Sequence, residues 1–151
     1  MAVDVVSEIV IERPPEVVAA YAADPTNAPR WYVNIQSVDW KTEPPARVGS
    51  RMEFVARFLG RRLAYTYEVV DLVPAERLVM RTAEGPFPME TTYTWEPAGE
   101  GGTRMTLRNR GEPGGFSKVG APVMTAAMRR ANRKDLARLK SVLESTRPPV
   151  A

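Results

Sequence analysis

From residue 35 to residue 110 the chain alternates apolar and polar positions in segment after segment. In "GPFPMETTYTWEP" every second residue gives Phe87, Met89, Thr91, Tyr93 and Trp95, with Glu90, Thr92, Thr94 and Glu96 between the later ones. That is a strand with one face of large rings and one polar face. The same period sets Met52, Phe54, Ala56 and Phe58 opposite Arg51, Glu53, Val55 and Arg57. It sets Leu63, Tyr65, Tyr67 and Val69 opposite Ala64, Thr66, Glu68 and Val70. Leu78 and Met80 oppose Arg77 and Arg81, and Met105 and Leu107 oppose Arg104, Thr106 and Arg108. With Ile35 to Thr42, and with Val3 to Glu12 ahead of them, seven strands are predicted. Turn chemistry in "EPPARVG", "LGRR", "VPAER", "AEGPFP" and "EPAGEGG" separates the last six. Six strands in succession predict an antiparallel meander with one covered face and one wet, salt-bridged face.

Helical signals sit at the two ends. "RPPEVVAAYAADP" predicts a helix: prolines suit its first turn, Glu16 favours its start, and Val17, Val18 and Tyr21 form a short apolar stripe. A second short turn is predicted from Asn27 to Tyr32. After "GEPGG" one long helix runs from Phe116 to Glu144, with Met124, Met128, Ala131, Leu136, Leu139 and Leu143 on one stripe. A single domain over residues 1–146 is expected, with 147–151 as a disordered tail.

These elements do not match in width. A helix is about 10–12 Å across, whereas seven flat strands span roughly 30 Å. The sheet must curl around the helix, and curling leaves a gap that Ala126, Ala127 and Ala131 are too small to fill. Loops and short helices could complete an ordinary core there. The alternative is a cavity, and an empty one of several hundred Å³ would cost on the order of 7–10 kcal/mol. A cavity kept at that cost implies an occupant, and this reading is preferred.

Composition narrows the chemistry. The chain has no cysteine and no histidine, which excludes thiolate nucleophiles, cysteine-based metal sites and imidazole general bases. No metal and no cofactor is expected. Net charge is +3, with 17 arginines among the 21 basic residues. No nucleic-acid-binding pattern accompanies that charge, so no nucleic-acid partner is expected. "MAVDVVSEIV" lacks a basic leader and carries Asp4 and Glu8 within its apolar run. No stretch reaches the roughly 18 apolar residues of a membrane span. A soluble cytoplasmic protein is expected, monomeric or homodimeric.

By strand parity the polar groups facing the gap are Tyr65, Tyr67, Thr82, Thr91, Tyr93 and Asn109. Each could simply be packed in a core; together they are the candidates for orienting a ligand. Met52, Phe54, Phe58, Met80, Phe87, Met89 and Met128 are expected to form the apolar wall. Asn132, one turn before Leu136, either points inward or lies on the surface. The basic run Arg129, Arg130, Arg133 and Lys134 reads as the solvated side of the helix, with an acidic partner the minority alternative.

Strand, two helices, six-strand meander and long C-terminal helix together resemble the START-like helix-grip superfamily, also called SRPBCC or Bet v 1-like. The segments "IERPPEVVAAYAADPTNAPRWY", "GSRMEFVARFLGRRLAYTYEVVDLVPAERLVMRTAEGPFPMETTYTWEP", "GTRMTLRNRGEP" and "RRANRKDLARLKSVLE" are similar to its polyketide cyclase/dehydrase-like branch. The resemblance implies an α+β fold in which a curved seven-stranded sheet wraps the long helix around an apolar cavity. It also implies that Trp31 is an aromatic at the cavity mouth; an N-terminal core anchor is the other reading. No catalytic residue carries over from it.

Three functions follow. The first is binding of a hydrophobic small molecule such as a lipid, polyketide-like or aromatic compound. The second is a cyclase, dehydratase or aromatase, with Tyr65, Tyr93 or Arg51 polarising a carbonyl and Glu90 or Asp135 moving protons if either faces inward. The third is a protein-interaction module. A buried, perturbed carboxylate in the cavity would favour the enzyme; hydroxyls alone would favour the binder. With no acid/base pair on the inward faces by parity, binding is the expected function.

Overall fold

In the computed structural model, which describes residues 3–58, 60–85, 88–112 and 121–145, β1 (Val3–Ile11) leads into helix α1 (Pro15–Ala22). Pro14 caps α1 in an extended conformation and Pro15 occupies its first turn, where the missing N–H costs nothing. A 3-10 turn (Pro25–Asn27) follows, its first free N–H satisfied by Asp24 Oδ1, which accepts from Thr26 N at 3.0 Å. Helix α2 is a single turn, Ala28–Trp31.

The remaining strands are β2 (Ile35–Trp40), β3 (Arg51–Phe58), β4 (Arg61–Val73), β5 (Arg77–Glu84), β6 (Met89–Ala98) and β7 (Gly102–Gly111). All pair antiparallel in the order β1-β7-β6-β5-β4-β3-β2, so β2 to β7 form the meander and β1 closes onto its last strand. The sheet curls into a half-barrel around helix α3 (Ala121–Ser145). The predicted start of that helix, 116–120, lies outside the described residues, as does the expected tail, 147–151.

The strand faces sort as their period requires. On the convex side Glu90 accepts from both Arg81 and Arg110, Asp4 from Arg108, and Glu68 from Arg51. These pairs are solvent-exposed on at least one side, and each stabilises by about 0.2–1 kcal/mol. Arg51 is therefore tied up outside the sheet, which removes it as a carbonyl-polarising group.

The concave side packs against α3 in two clusters. Leu136, Leu139 and Leu143 join Trp31, Met52, Trp95, Met105 and Leu107 in a filled core at the C-terminal end of α3. Met124 and Met128 meet Val3, Val5, Leu63, Tyr65 and Met89 in a smaller cluster at its N-terminal end. Ala126 lies on the solvent side of α3, contrary to expectation, because its helical position falls away from the Met124–Met128 stripe.

Candidate functional site

Between the two clusters lies a cavity of about 160 Å³. It is smaller than the several hundred Å³ that the width mismatch suggests, because the Trp31–Trp95 core fills one end of the trough. Along β6 the transition is visible residue by residue: Met89, Thr91 and Tyr93 line the cavity, whereas Trp95 belongs to the core.

The apolar wall is built by Phe54, Phe58, Met80, Met89 and Met128, with Ala56, Leu63, Ile35 and Met124 completing it. Tyr65, Tyr67, Thr91, Tyr93, Asn109 and Asn132 bring polar groups to the same lining. Three of the described candidates, Met52, Trp31 and Thr82, are not on the lining. Met52 shares a face with Phe54 but lies one pleat closer to the filled core, and it is fully buried there. Trp31 is also fully buried and stands behind the wall: its ring centroid is 4.1 Å from that of Tyr32 and 5.7 Å from that of Tyr93. It braces the tyrosines instead of standing at the mouth. Thr82 is spent locally, its hydroxyl accepting from Met89 N at 3.0 Å. Phe87 lies outside the described residues.

Close approach fixes one ring. A Cβ at Gly85 would fall 2.5 Å from Tyr65 Cδ1, so only glycine lets the end of β5 pass that closely over the tyrosine.

Asp135 carries the site's charge, and strand parity could not reveal it because it comes from the helix. It is 2 % exposed, lines the cavity, and its Oδ1 accepts the backbone N–H of Val33 at 2.8 Å. Burial pushes the carboxyl up to about 7, although the Val33 N–H and the Arg138 cation pull the other way. The sequence carries a signal for it: Met128, Asn132, Asp135 and Leu139 follow at helical spacing, so a carboxylate interrupts an inward stripe.

Beside Asp135, the hydroxyls of Tyr32 and Tyr93 hydrogen-bond to each other. Burial raises both phenols far above their usual range, and Asp135 adds to the effect, so both stay protonated at any physiological pH. Tyr67 is raised to about 12, again chiefly by burial. Tyr32, Asn34 and Ile35 also line the cavity, beyond what strand parity predicts. They come from the α2–β2 junction, where no regular period operates.

The arrangement can hold an apolar body against the methionine and phenylalanine wall and present protonated phenols and one titratable carboxyl to its polar end. Among the described residues no group of side chains could hold a metal ion, and no helix is long and apolar enough to cross a membrane.

Comparison with known proteins agrees with this architecture. Residues 2–144 match the family described as polyketide cyclase / dehydrase and lipid transport. The protein TTHA0849 from Thermus thermophilus superposes with a TM-score of 0.80 at 24 % identity, covering 95 % of this chain and 99 % of that one. A START superfamily protein from Mycobacterium smegmatis gives 0.80 at 14 % identity over 93 % and 97 % of the two chains. The Zhui aromatase/cyclase from Streptomyces sp. R1128 gives 0.80 at 16 % identity over 95 % and 94 %. No curated protein matches the chain by sequence. The fold is shared by all three structures, and the match over residues 2–144 makes the chain a member of the polyketide cyclase / dehydrase and lipid transport family, within the START-like superfamily.

Proposed function

We propose that the protein binds a small, largely apolar molecule of one or two rings in the cavity, with its polar end toward Asp135, Tyr32 and Tyr93. The observation that carries this reading is the cavity itself. Its volume of about 160 Å³ is lined mainly by methionine, phenylalanine and tyrosine side chains, a surface better matched to an apolar guest than to water. A cavity of similar size, about 150 Å³, is known to accept benzene in an apolar setting. Calorimetric titration with indane, naphthalene and 1-naphthol tests the reading. Saturable one-to-one binding is expected for at least one of them; absence of binding to all three contradicts it.

A second reading is favoured by one specific observation, the buried carboxyl of Asp135 poised at about 7 within that cavity. Such a group can take a proton from the carbon next to a ketone while a tyrosine hydroxyl donates to the carbonyl oxygen. This is the chemistry of a cyclase or dehydratase that needs neither metal nor histidine. Exchange of the α-hydrogens of 2-tetralone in D2O, followed by NMR, tests it. The enzyme reading expects exchange above the buffer rate, rising with pH through about 7 as the carboxylate forms, and its loss in Asp135→Asn. Exchange at the buffer rate leaves binding as the function.

A further inference from the structure

Five buried side-chain polar atoms lack a hydrogen-bond partner among the described residues: Ser7 Oγ, Tyr21 Oη, Trp31 Nε1, Trp95 Nε1 and Asn132 Nδ2. Of these residues only Asn132 lines the cavity. It is 4 % exposed, and it ends a buried chain of hydrogen bonds. Thr91 Oγ1 donates to Asn109 Oδ1 at 2.6 Å, and Asn109 Nδ2 donates to Asn132 Oδ1 at 3.1 Å. The Tyr67 phenol lines the cavity beside this chain.

The distances set the direction of this chain. A length of 2.6 Å suits O–H···O, where the mode is about 2.7–2.8 Å, and 3.1 Å suits N–H···O, where it is about 2.9–3.0 Å. Thr91 is therefore the donor to Asn109, and both amide oxygens are already engaged. What remains at the end is an N–H of Asn132 that no described residue receives. A buried donor left unsatisfied is destabilising, so one placed on a cavity wall points to something the empty protein does not supply.

Resting on the reading of the cavity as a ligand site, we infer that Asn132 is a specificity-determining residue that receives a hydrogen-bond acceptor on the occupant, an oxygen of the ketone type. The chain Thr91–Asn109–Asn132 holds the amide with its N–H as the free group. The site therefore discriminates for an oxygenated ring over the hydrocarbon ring of the same shape. Asp135 lies one helical turn further on, about 5–6 Å away between Cβ atoms, so the acceptor is recognised apart from whatever group meets the carboxyl.

The test compares 1-indanone with indane, the same skeleton with and without the carbonyl, by calorimetry on wild type and Asn132→Leu. Desolvation of the ketone affects both proteins equally, so the informative quantity is the ratio of the two affinities. That ratio is expected to fall about tenfold in Asn132→Leu, the loss of one hydrogen bond, while indane binds as well as before or better. Thr91→Val, which frees Asn109 to turn over, is expected to lower it about twofold. Asn132→Met serves the same comparison if the leucine variant does not fold. A ratio unchanged on substitution overturns the inference, as does a preference of wild type for 1-indanol over 1-indanone that Asn132→Leu abolishes, because the amide would then present its oxygen. If neither indane nor 1-indanone binds wild type, the ligand-site reading itself fails and this inference with it.

Discussion

Asp135 and Val33 are 102 positions apart in sequence, yet the carboxyl Oδ1 accepts the Val33 N–H at 2.8 Å. This bond ties the middle of α3 to the α2–β2 junction, the segment that delivers Tyr32, Asn34 and Ile35 to the cavity. One carboxyl thus serves both as a fastener between elements and as the titratable group of the site.

That double role makes stability depend on pH. The folded Asp135 carboxyl is raised to about 7 from an ordinary 3.8, so between these values the folded state holds a proton that the unfolded chain has released. Its contribution is complete below about pH 4, declines as pH rises, and is gone above about 7. The span corresponds to on the order of 4 kcal/mol. Asp135→Asn keeps an oxygen for Val33 and carries no charge. Urea denaturation at pH 5 and pH 8 should find wild type losing stability from this site and the variant largely insensitive; parallel curves for the two proteins would contradict the assignment.

Ala131 sits on α3 at the edge of the cavity. Ala131→Leu should place extra carbons into empty space and raise stability by up to about 2 kcal/mol, while weakening indane binding at least tenfold. Thermal unfolding and calorimetry read the two effects. A destabilised variant would mean that the volume near Ala131 is already filled.

Gly85 and Tyr65 form a contact that admits no side chain, since an added Cβ would come 2.5 Å from the ring. Gly85→Ala should destabilise by about 1–3 kcal/mol through overpacking. Adding Tyr65→Leu should recover part of that loss. A double variant whose cost is the sum of the two single costs would exclude a direct clash.

The strand meander is legible in the sequence because an alternation of period two, repeated from Met52 to Leu107, leaves little freedom in which face is covered. The same period predicts Glu90 on the outer face, where Arg81 and Arg110 hold it. Depth along a strand is not legible. Met52 and Phe54 share one face by parity, yet only Phe54 reaches the cavity, because the Trp31 core fills the trough beside Met52.

The irregular and helical contributions are harder to read. Tyr32, Asn34 and Ile35 lie where the chain turns from α2 into β2, and their inward placement depends on the bond from Val33 to Asp135, a contact between distant parts of the sequence. Strand parity says nothing of Asp135, whose inward position follows only if the interrupted apolar stripe of α3 is treated as a continuous face.

The methionines offer the most direct test of the central claim. Met80, Met89, Met124 and Met128 line the cavity, whereas Met52 and Met105 are fully buried in the neighbouring core. With methyl-13C methionine incorporated and the signals assigned by substitution, the protein is titrated with indane and followed by 1H–13C correlation NMR. Saturable shifts are expected at the four lining methyls, with Met52 and Met105 little changed. Lining methyls that stay in place while indane saturates the sample would mean that the cavity does not take an apolar guest.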